Sequence, residues 1–346
     1  LPPRDHETAP LVSVITPFYN TEKYLAECIK SVLAQSYRNW EYVLVNNQST
    51  DGSRAICERY VRADSRIRLI DTPEHFSQVE NFERALRQMS PQSEYCKMVL
   101  ADDWLFPDCI KKMVCLAESH PTVGIVSAYR LLGNVVTGDG LPYTRSVISG
   151  REAARLMLKE GYYLTGSPTS ILLRANLIRE TKRFYESNWI HDDTEACLRI
   201  LGKHDLGFIH QILSFSRADN DSITESLTGL NPGLLRKFLF ARQFGPAFLS
   251  GDELNHLIRE TTDRYGEFLA ASIFEFKGSG FWDFHRRGLR SGGYSFRSIG
   301  LGKYVLLELA DLILNPKKTA GRLIRVAKNW KERSRRRRYG VHDAAE

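Results

Sequence analysis

The sequence predicts an α/β protein built on a mostly parallel sheet covered on both faces, with a helical extension at its carboxyl end. Three observations predict it. Short β-branched runs alternate with helical patterns through the first half, at spacings that fit β-α-β crossovers. Those apolar runs are unbroken by polar residues, as strands buried on both faces should be. Beyond residue 231 the strand pattern gives way to helical periodicity alone.

The elements follow in order. Residues 11–16 (LVSVIT) read as a strand, and 22–35 as a helix with Leu25, Ile29, Val32 and Leu33 on one face. Residues 41–46 (EYVLVN) are the second strand and 53–63 the second helix; 68–70 and 79–88 are the third pair. Residues 97–100 and 107–119 are the fourth, and 123–128 the fifth strand. Then the rhythm changes. A glycine-rich loop (133–142) leads to a helix at 150–160, a strand at 168–174 and an amphipathic helix at 192–201. Residues 206–210 and 212–217 read as two short strands, and 304–314 as the last helix before Pro316. The resulting division is an arm (1–10), two α/β halves (11–130 and 131–230), a helical region (231–315) and a tail (316–346).

Composition bounds the function. The chain has 346 residues, 42% hydrophobic and 26% charged, which is ordinary globular usage with ample material for a core. Nowhere do eighteen consecutive apolar residues occur, so no membrane-spanning helix is expected. Residues 1–10 lack the apolar stretch of a secretory signal. Six cysteines without a C-x-x-C pair read as reduced thiols, which predicts a cytoplasmic protein. The tail, 316–346, holds eleven Lys/Arg against three Asp/Glu, a net of +8 in a chain of net +7. Residues 1–315 therefore sum to about −1. A nucleic-acid enzyme carries a basic working face in its body, so no nucleic acid is expected as partner. A basic tail after an amphipathic helix reads either as a merely solvated segment or as one that suits an anionic membrane surface, which would give a peripheral location at the inner face of a membrane.

Ligands of open α/β sheets bind beyond the carboxyl ends of the strands. Three polar segments fall there: Thr16-Pro-Phe-Tyr-Asn20, Asn46-Asn-Gln-Ser-Thr-Asp51-Gly52 and Asp102-Asp103-Trp104. An aromatic ring, amide acceptors and a carboxylate pair suit a base, a ribose and a metal-bound diphosphate. Any one segment alone reads as well as a turn or helix cap. Three at consecutive strand ends are harder to dismiss. Two adjacent carboxylates after a buried strand repel each other and lose solvation unless a cation joins them. Mn²⁺ or Mg²⁺ suits such oxygen ligands.

Ser13-Val-Ile-Thr-Pro-Phe-Tyr-Asn20, Gln35-Ser-Tyr-x-Asn-Trp-Glu41, Ser49-Thr-Asp-Gly-Ser53 and Ala101-Asp-Asp-Trp-Leu-x-Pro107 together resemble the inverting family 2 glycosyltransferases, over residues 11–225. The resemblance implies a GT-A fold, a nucleotide-sugar donor, a divalent cation (Mn²⁺ or Mg²⁺) and displacement at the anomeric carbon with inversion. Carried over by position, Thr16, Pro17 and Tyr19 line the donor pocket and Asn47 faces the base. Asp102 approaches the ribose or the metal, Asp103 ligates the metal, and Arg217 lies near the diphosphate. Trp104 walls the acceptor site. Asp193, at the start of the 192–201 helix, is the general base, and a helix N-terminus favours its ionised form. Glu195 and Arg199 are spaced to pair at i, i+4. Asp219 stands where many members carry a metal-binding His.

This sequence departs from the family pattern in two places. Asn46-Asn47-Gln48 replaces an acidic pair and glycine, and Leu100 replaces a first aspartate. An Asn oxygen still accepts from uracil N3–H, so a UDP-sugar is the expected donor. The expected acceptor is a saccharide or a lipid-linked glycan, in surface polysaccharide synthesis. The lost acids also suit a rival reading, a sugar-nucleotide or glycan binding module with reduced catalysis. A nucleotidyltransferase is a further rival; its glycine- and lysine-rich triphosphate loop has no counterpart in Thr16–Asn20.

Overall fold

The computed structural model describes residues 9–186, 192–218 and 228–315, together with Thr319. The chain divides into two compact units, Leu1–Asn220 and Asp221–Glu346. In the first, β1 (Val12–Phe18), β2 (Trp40–Asn46), β3 (Ile67–Asp71) and β4 (Tyr95–Met98) run parallel in the spatial order β3-β2-β1-β4. Next comes β9 (Ile171–Arg174), antiparallel to β4 on one side and to β6 (Val123–Leu132) on the other. β6 therefore runs with the first four strands, and β10 (Asp205–Ser216) runs parallel to it. β5 (Trp104–Leu105) closes that edge, antiparallel to β10. β7 (Val135–Thr137) pairs with β6, and β8 (Val147–Ile148) with β10.

The helices of this unit are α1 (Leu25–Leu33), α2 (Ser53–Ala63), α3 (Gln78–Leu86), α4 (Cys109–Ser119), α5 (Gly150–Lys159), α6 (Ala175–Arg179) and α7 (Asp192–Leu201). Helical spacing puts Leu25, Cys28, Ile29 and Val32 of α1 on one buried face, and Cys109, Ile110, Met113, Val114 and Ala117 of α4 on another. Both join one core cluster with Val12 and Val14 of β1 and Tyr42 and Leu44 of β2. Each buried large aliphatic side chain there contributes about 1.5–3 kcal/mol. All six cysteines are free, and no helix among the described residues is long and apolar enough to cross a membrane.

Several boundaries move. β1 runs on to Phe18, whose register partner is Asn46; Asn46 in turn pairs with Asp71. The first three strands thus end level. Residues 205–216 are one strand, not two, and the expected break is a pair of register shifts around Ile212. Residues 168–170 make a 3₁₀ turn before β9, because Pro168 starts a turn more readily than a paired strand. β5 and β7 are too short for a period to register in the sequence.

The second unit is helical: α8 (Pro232–Gln243), α9 (Gly245–Phe248), α10 (Gly251–Phe274), α11 (Ser279–Ser291), α12 (Phe296–Ile299) and α13 (Leu301–Leu314). Ser250 and Glu253 close a capping box at the start of α10. Gly266 of α10 receives the ring of Tyr304, where a Cβ would sit 2.4 Å from ring carbons, so α10 and α13 cross closely. His285 is buried; its Nε2–H donates to the Leu230 carbonyl (3.0 Å) and its Nδ1 accepts from the Tyr265 hydroxyl (2.8 Å). Burial pushes its pKa down to about 4, so it is a neutral structural histidine.

Candidate active site

The level carboxyl ends of β1 and β2 are laced to each other. The Asn20 amide meets Thr50 twice, accepting from its N–H (2.8 Å) and donating to its hydroxyl (3.2 Å). The N–H groups of Asn20, Thr21 and Glu22 donate to the side chains of Ser49, Ser53 and Asp51. Gly52 N–H donates back to the Glu22 carboxylate (2.6 Å), and a Cβ on Gly52 would strike that oxygen. Ser49–Ser53 is thus a fastening between two loops.

Two expected donor contacts are engaged inside the protein here. Thr16 lies inside β1, fully buried, and its hydroxyl bonds the Val99 carbonyl (2.8 Å) and the Tyr42 hydroxyl (2.9 Å). The two-residue extension of β1 moves its side chain from the strand end into the core. Asn47 is buried too, and its amide grips the backbone of Phe76: Oδ1 accepts from N–H and Nδ2 donates to C=O, each at 2.9 Å. Thr72 also turns its hydroxyl toward Oδ1 (3.5 Å). That oxygen is committed to shaping the 72–76 loop and is not presented to a base. Pro17 is buried in the strand, whereas Tyr19 is exposed and its ring meets His75 at 4.3 Å between centroids. His75 is a member of this rim that the sequence did not flag.

Beyond β4 the picture reverses. Asp103 is 4% exposed and Asp102 half-buried. Burial, then the neighbouring Asp102 charge, push the Asp103 carboxyl up to about 7, against Thr169, Ser216 and Arg130, which pull it down. Burial likewise raises Asp102, opposed by the Arg217 charge. The Thr169 hydroxyl donates to Asp103 (2.5 Å) and accepts from Leu100 N–H (3.0 Å). Below it, the fully buried ammonium of Lys97 donates to the carbonyls of Thr169 (2.6 Å) and Ile171 (3.0 Å). A lysine within the buried run Tyr95-Cys-Lys-Met-Val was the sequence signal for this cluster. Gln35 fixes the exit of the segment: its amide bonds the Phe106 carbonyl (2.9 Å) and the Ile110 N–H (3.1 Å).

β5 explains how Arg217 arrives. Trp104 pairs with Phe215, and their rings stack at 3.9 Å and 12°. Arg217, two residues on, lies over Tyr24 (4.4 Å) and Trp104 (5.3 Å) and pairs with Glu27. Its Nε is buried without a hydrogen-bond partner among the described residues. Trp104 is half-buried, and its stacking supports this arginine.

Asp193 is the second residue of α7. Its Oδ1 accepts from Thr194 N–H (2.7 Å), and its Oδ2 from the Tyr163 hydroxyl (3.3 Å). Arg130, which acts on Asp103, lies 5.8 Å from the Tyr163 ring. Arg130 and Tyr163 thus connect Asp103 to Asp193 through a chain of contacts, and neither carried a sequence signal. Arg199 of α7 pairs with Glu186 at 2.6 Å and donates to the Phe184 carbonyl, which ties residues 184–186 to the helix.

Among the described residues no group of three or more His, Cys, Asp or Glu encloses a cation. Asp219 lies outside the described residues, as does the tail apart from Thr319. Asp102 and Asp103 supply two carboxylates, both made costly by burial. That set fits a cation sharing its coordination with diphosphate oxygens.

The sequence profile of glycosyl transferase family 2 matches residues 13–180. EpsE of Bacillus subtilis (strain 168), assigned as a glycosyltransferase, is 32% identical over 172 residues, covering 45% of this chain and 61% of that protein. TuaG of the same organism, assigned as a teichuronic acid biosynthesis glycosyltransferase, is 31% identical over 138 residues, covering 40% of this chain and 52% of that protein. The chain thus spans less than two thirds of the length of either relative. Among solved structures, Staphylococcus aureus TarS 1–349 in complex with UDP is similar with TM-score 0.59 at 17% identity, over 86% of this chain and 90% of that chain. The mannosyltransferase PcManGT from Pyrobaculum calidifontis, in complex with GDP-Man and Mn²⁺, gives 0.52 at 16%, over 94% and 88%. The shared architecture is the GT-A fold.

Proposed function

We propose that the chain, which matches the glycosyl transferase family 2 profile over residues 13–180, moves a sugar from a UDP-sugar to a saccharide or lipid-linked acceptor, with inversion, in cell-surface polysaccharide synthesis. The observation that carries the reading is the buried Asp102–Asp103 pair at the end of β4, with Arg217 beside it. Two carboxylates taken out of water and set against each other are stabilised by a dication, and an unpartnered guanidinium N–H by an anion. A diphosphate carrying Mn²⁺ or Mg²⁺ brings both.

In this reading Asp102 and Asp103 hold the cation, which when bound neutralises the diphosphate leaving group. Arg217 binds a diphosphate oxygen, Tyr19 packs at the nucleoside, and Pro17 backs that pocket. Residues 131–230 supply the acceptor side, with Trp104 at its wall. The acceptor hydroxyl oxygen attacks the anomeric carbon as the bond to the diphosphate breaks, and its proton passes to the Asp193 carboxylate. The Tyr163 hydroxyl holds that carboxylate in place. Asn47 shapes the loop around the base instead of reading it. TuaG, assigned to teichuronic acid biosynthesis, supports the polysaccharide setting, and the UDP complex of TarS supports the donor class. The basic tail supports a peripheral location at the inner face of a membrane.

The test is transfer by Asp193→Asn alongside the wild type. Loss of a general base lowers kcat on the order of 10²–10⁴-fold, while UDP-sugar affinity with Mn²⁺ stays near normal. Wild-type turnover with no donor, despite UDP binding, would favour the glycan- or nucleotide-binding module. Near-normal turnover in the variant would remove Asp193 as the base.

A further inference from the structure

The last helix of the second unit faces the wrong way for a helix in water. On α13 the helical period groups Leu306, Leu307, Leu309, Ala310, Ile313 and Leu314 on one side, and Tyr304, Glu308, Asp311 and Leu312 on the other. A helix packed on a water-soluble body buries its leucines and exposes its acids. Here Tyr304 is the buried residue, its hydroxyl donating to Asp263 (2.6 Å), and Glu308 and Asp311 are half-buried. The five large apolar side chains of the outer side are 44–80% exposed. Single exposed leucines are ordinary; a contiguous row over about two and a half turns marks an interaction surface.

We propose that this outer face of α13 is a membrane-docking surface, lying in the plane of an anionic bilayer with its leucines in the acyl boundary. It rests on the peripheral location proposed above and supplies the apolar contact that a basic tail lacks. Charge selects the occupant. Residues 279–303 carry Arg286, Arg287, Arg290, Arg297 and Lys303 against Asp283, a net of +4, and all five cations are exposed. A net of +8 follows in residues 316–346. Two copies meeting face to face across α13 would bring these like charges together, whereas anionic headgroups neutralise them. Apolar insertion together with cationic attraction is the pairing that gives stable interfacial binding.

The experiment is co-sedimentation of the full chain with phosphatidylcholine vesicles, with and without phosphatidylglycerol. It compares the wild type, Leu306→Ser/Ile313→Ser, and a chain ending before Pro316. Both serines replace exposed residues; far-UV circular dichroism and the UDP-induced thermal shift check that both units remain folded. The expected result is wild-type binding to anionic vesicles and at least roughly tenfold weaker partitioning of the double variant. The tail deletion should keep a residual, less salt-sensitive affinity. If the double variant partitions like the wild type, docking belongs to the tail and the α13 surface is overturned while the peripheral location stands. If the wild type binds no vesicles, both fall. A wild-type dimer that the double variant dissolves assigns the face to self-association and overturns the proposal.

Discussion

The segments after β2 and β4 leave the sheet at the same edge, on either side of β1, and both carry family motifs. Their energetics are opposite. After β2, Asn46 accepts from Ser49 N–H (3.0 Å) and donates to Asp71 (2.8 Å), Asn47 closes on Phe76, and Asp51 caps two N–H groups. Each amide is spent inside the protein, so the loop is complete without a ligand. After β4, two carboxylates stand desolvated beside each other, with the pKa of both raised. A motif can persist because it builds the frame or because it meets the ligand, and the residual electrostatic cost tells which. Fully satisfied polar groups rigidify, whereas a costly buried charge marks the place where something is to bind.

The contrast breaks first at Asp103. Asp103→Asn removes a buried charge that repels Asp102, so thermal stability without metal is unchanged or higher. Affinity for UDP with Mn²⁺ falls on the order of 100-fold. Isothermal calorimetry checks this, and unchanged affinity would sink the metal assignment.

Acid–base linkage tests the same carboxyl without mutation. Its folded pKa, about 7, lies well above the ordinary carboxyl range. The folded state therefore holds the proton more tightly, and the associated stability is fully present at low pH and lost as pH rises through about 7. A dication binds the ionised pair and offsets that loss. The Tm gain from Mn²⁺ should thus be small near pH 5 and grow towards pH 8; a gain independent of pH would count against a metal at Asp103.

The β2 side predicts a different phenotype. Asn47→Ala leaves Phe76 N–H and C=O without their partners, which costs about 1–3 kcal/mol of stability. Saturating UDP should recover part of that loss by mass action if the nucleoside pocket still forms. A stable Asn47→Ala protein with abolished UDP binding would put Asn47 back among the donor contacts.

The smallest effect belongs to Tyr163. Tyr163→Phe removes one hydrogen bond to Asp193, worth about 0.5–1.5 kcal/mol, so kcat falls roughly 2–10-fold with little change in donor KM. A rise in KM alone would place Tyr163 in donor binding instead.

The sequence by itself determined the order of strands and helices, the sheet edge where its polar motifs gather and the family it resembles. Each rests on local information: unbroken apolar runs, helical spacing and contiguous motifs such as Ala101-Asp-Asp-Trp. Tertiary structure decided which motif residues are bonded inside the protein. Thr16 and Asn47 had motif positions but were taken by Val99 and Phe76, and the level strand ends that allow this follow from register. The cluster under Asp103 joins Lys97 to Thr169 and Ile171 across more than seventy residues, and Arg217 reaches Trp104 through a two-residue strand. The orientation of α13 was decided the same way. Periodicity reveals that a helix has an apolar side, but only packing against Gly266 and Asp263 determines that Tyr304, and not the leucines, turns inward. Period is a property of the chain; partner and direction belong to whatever the folded chain brings alongside.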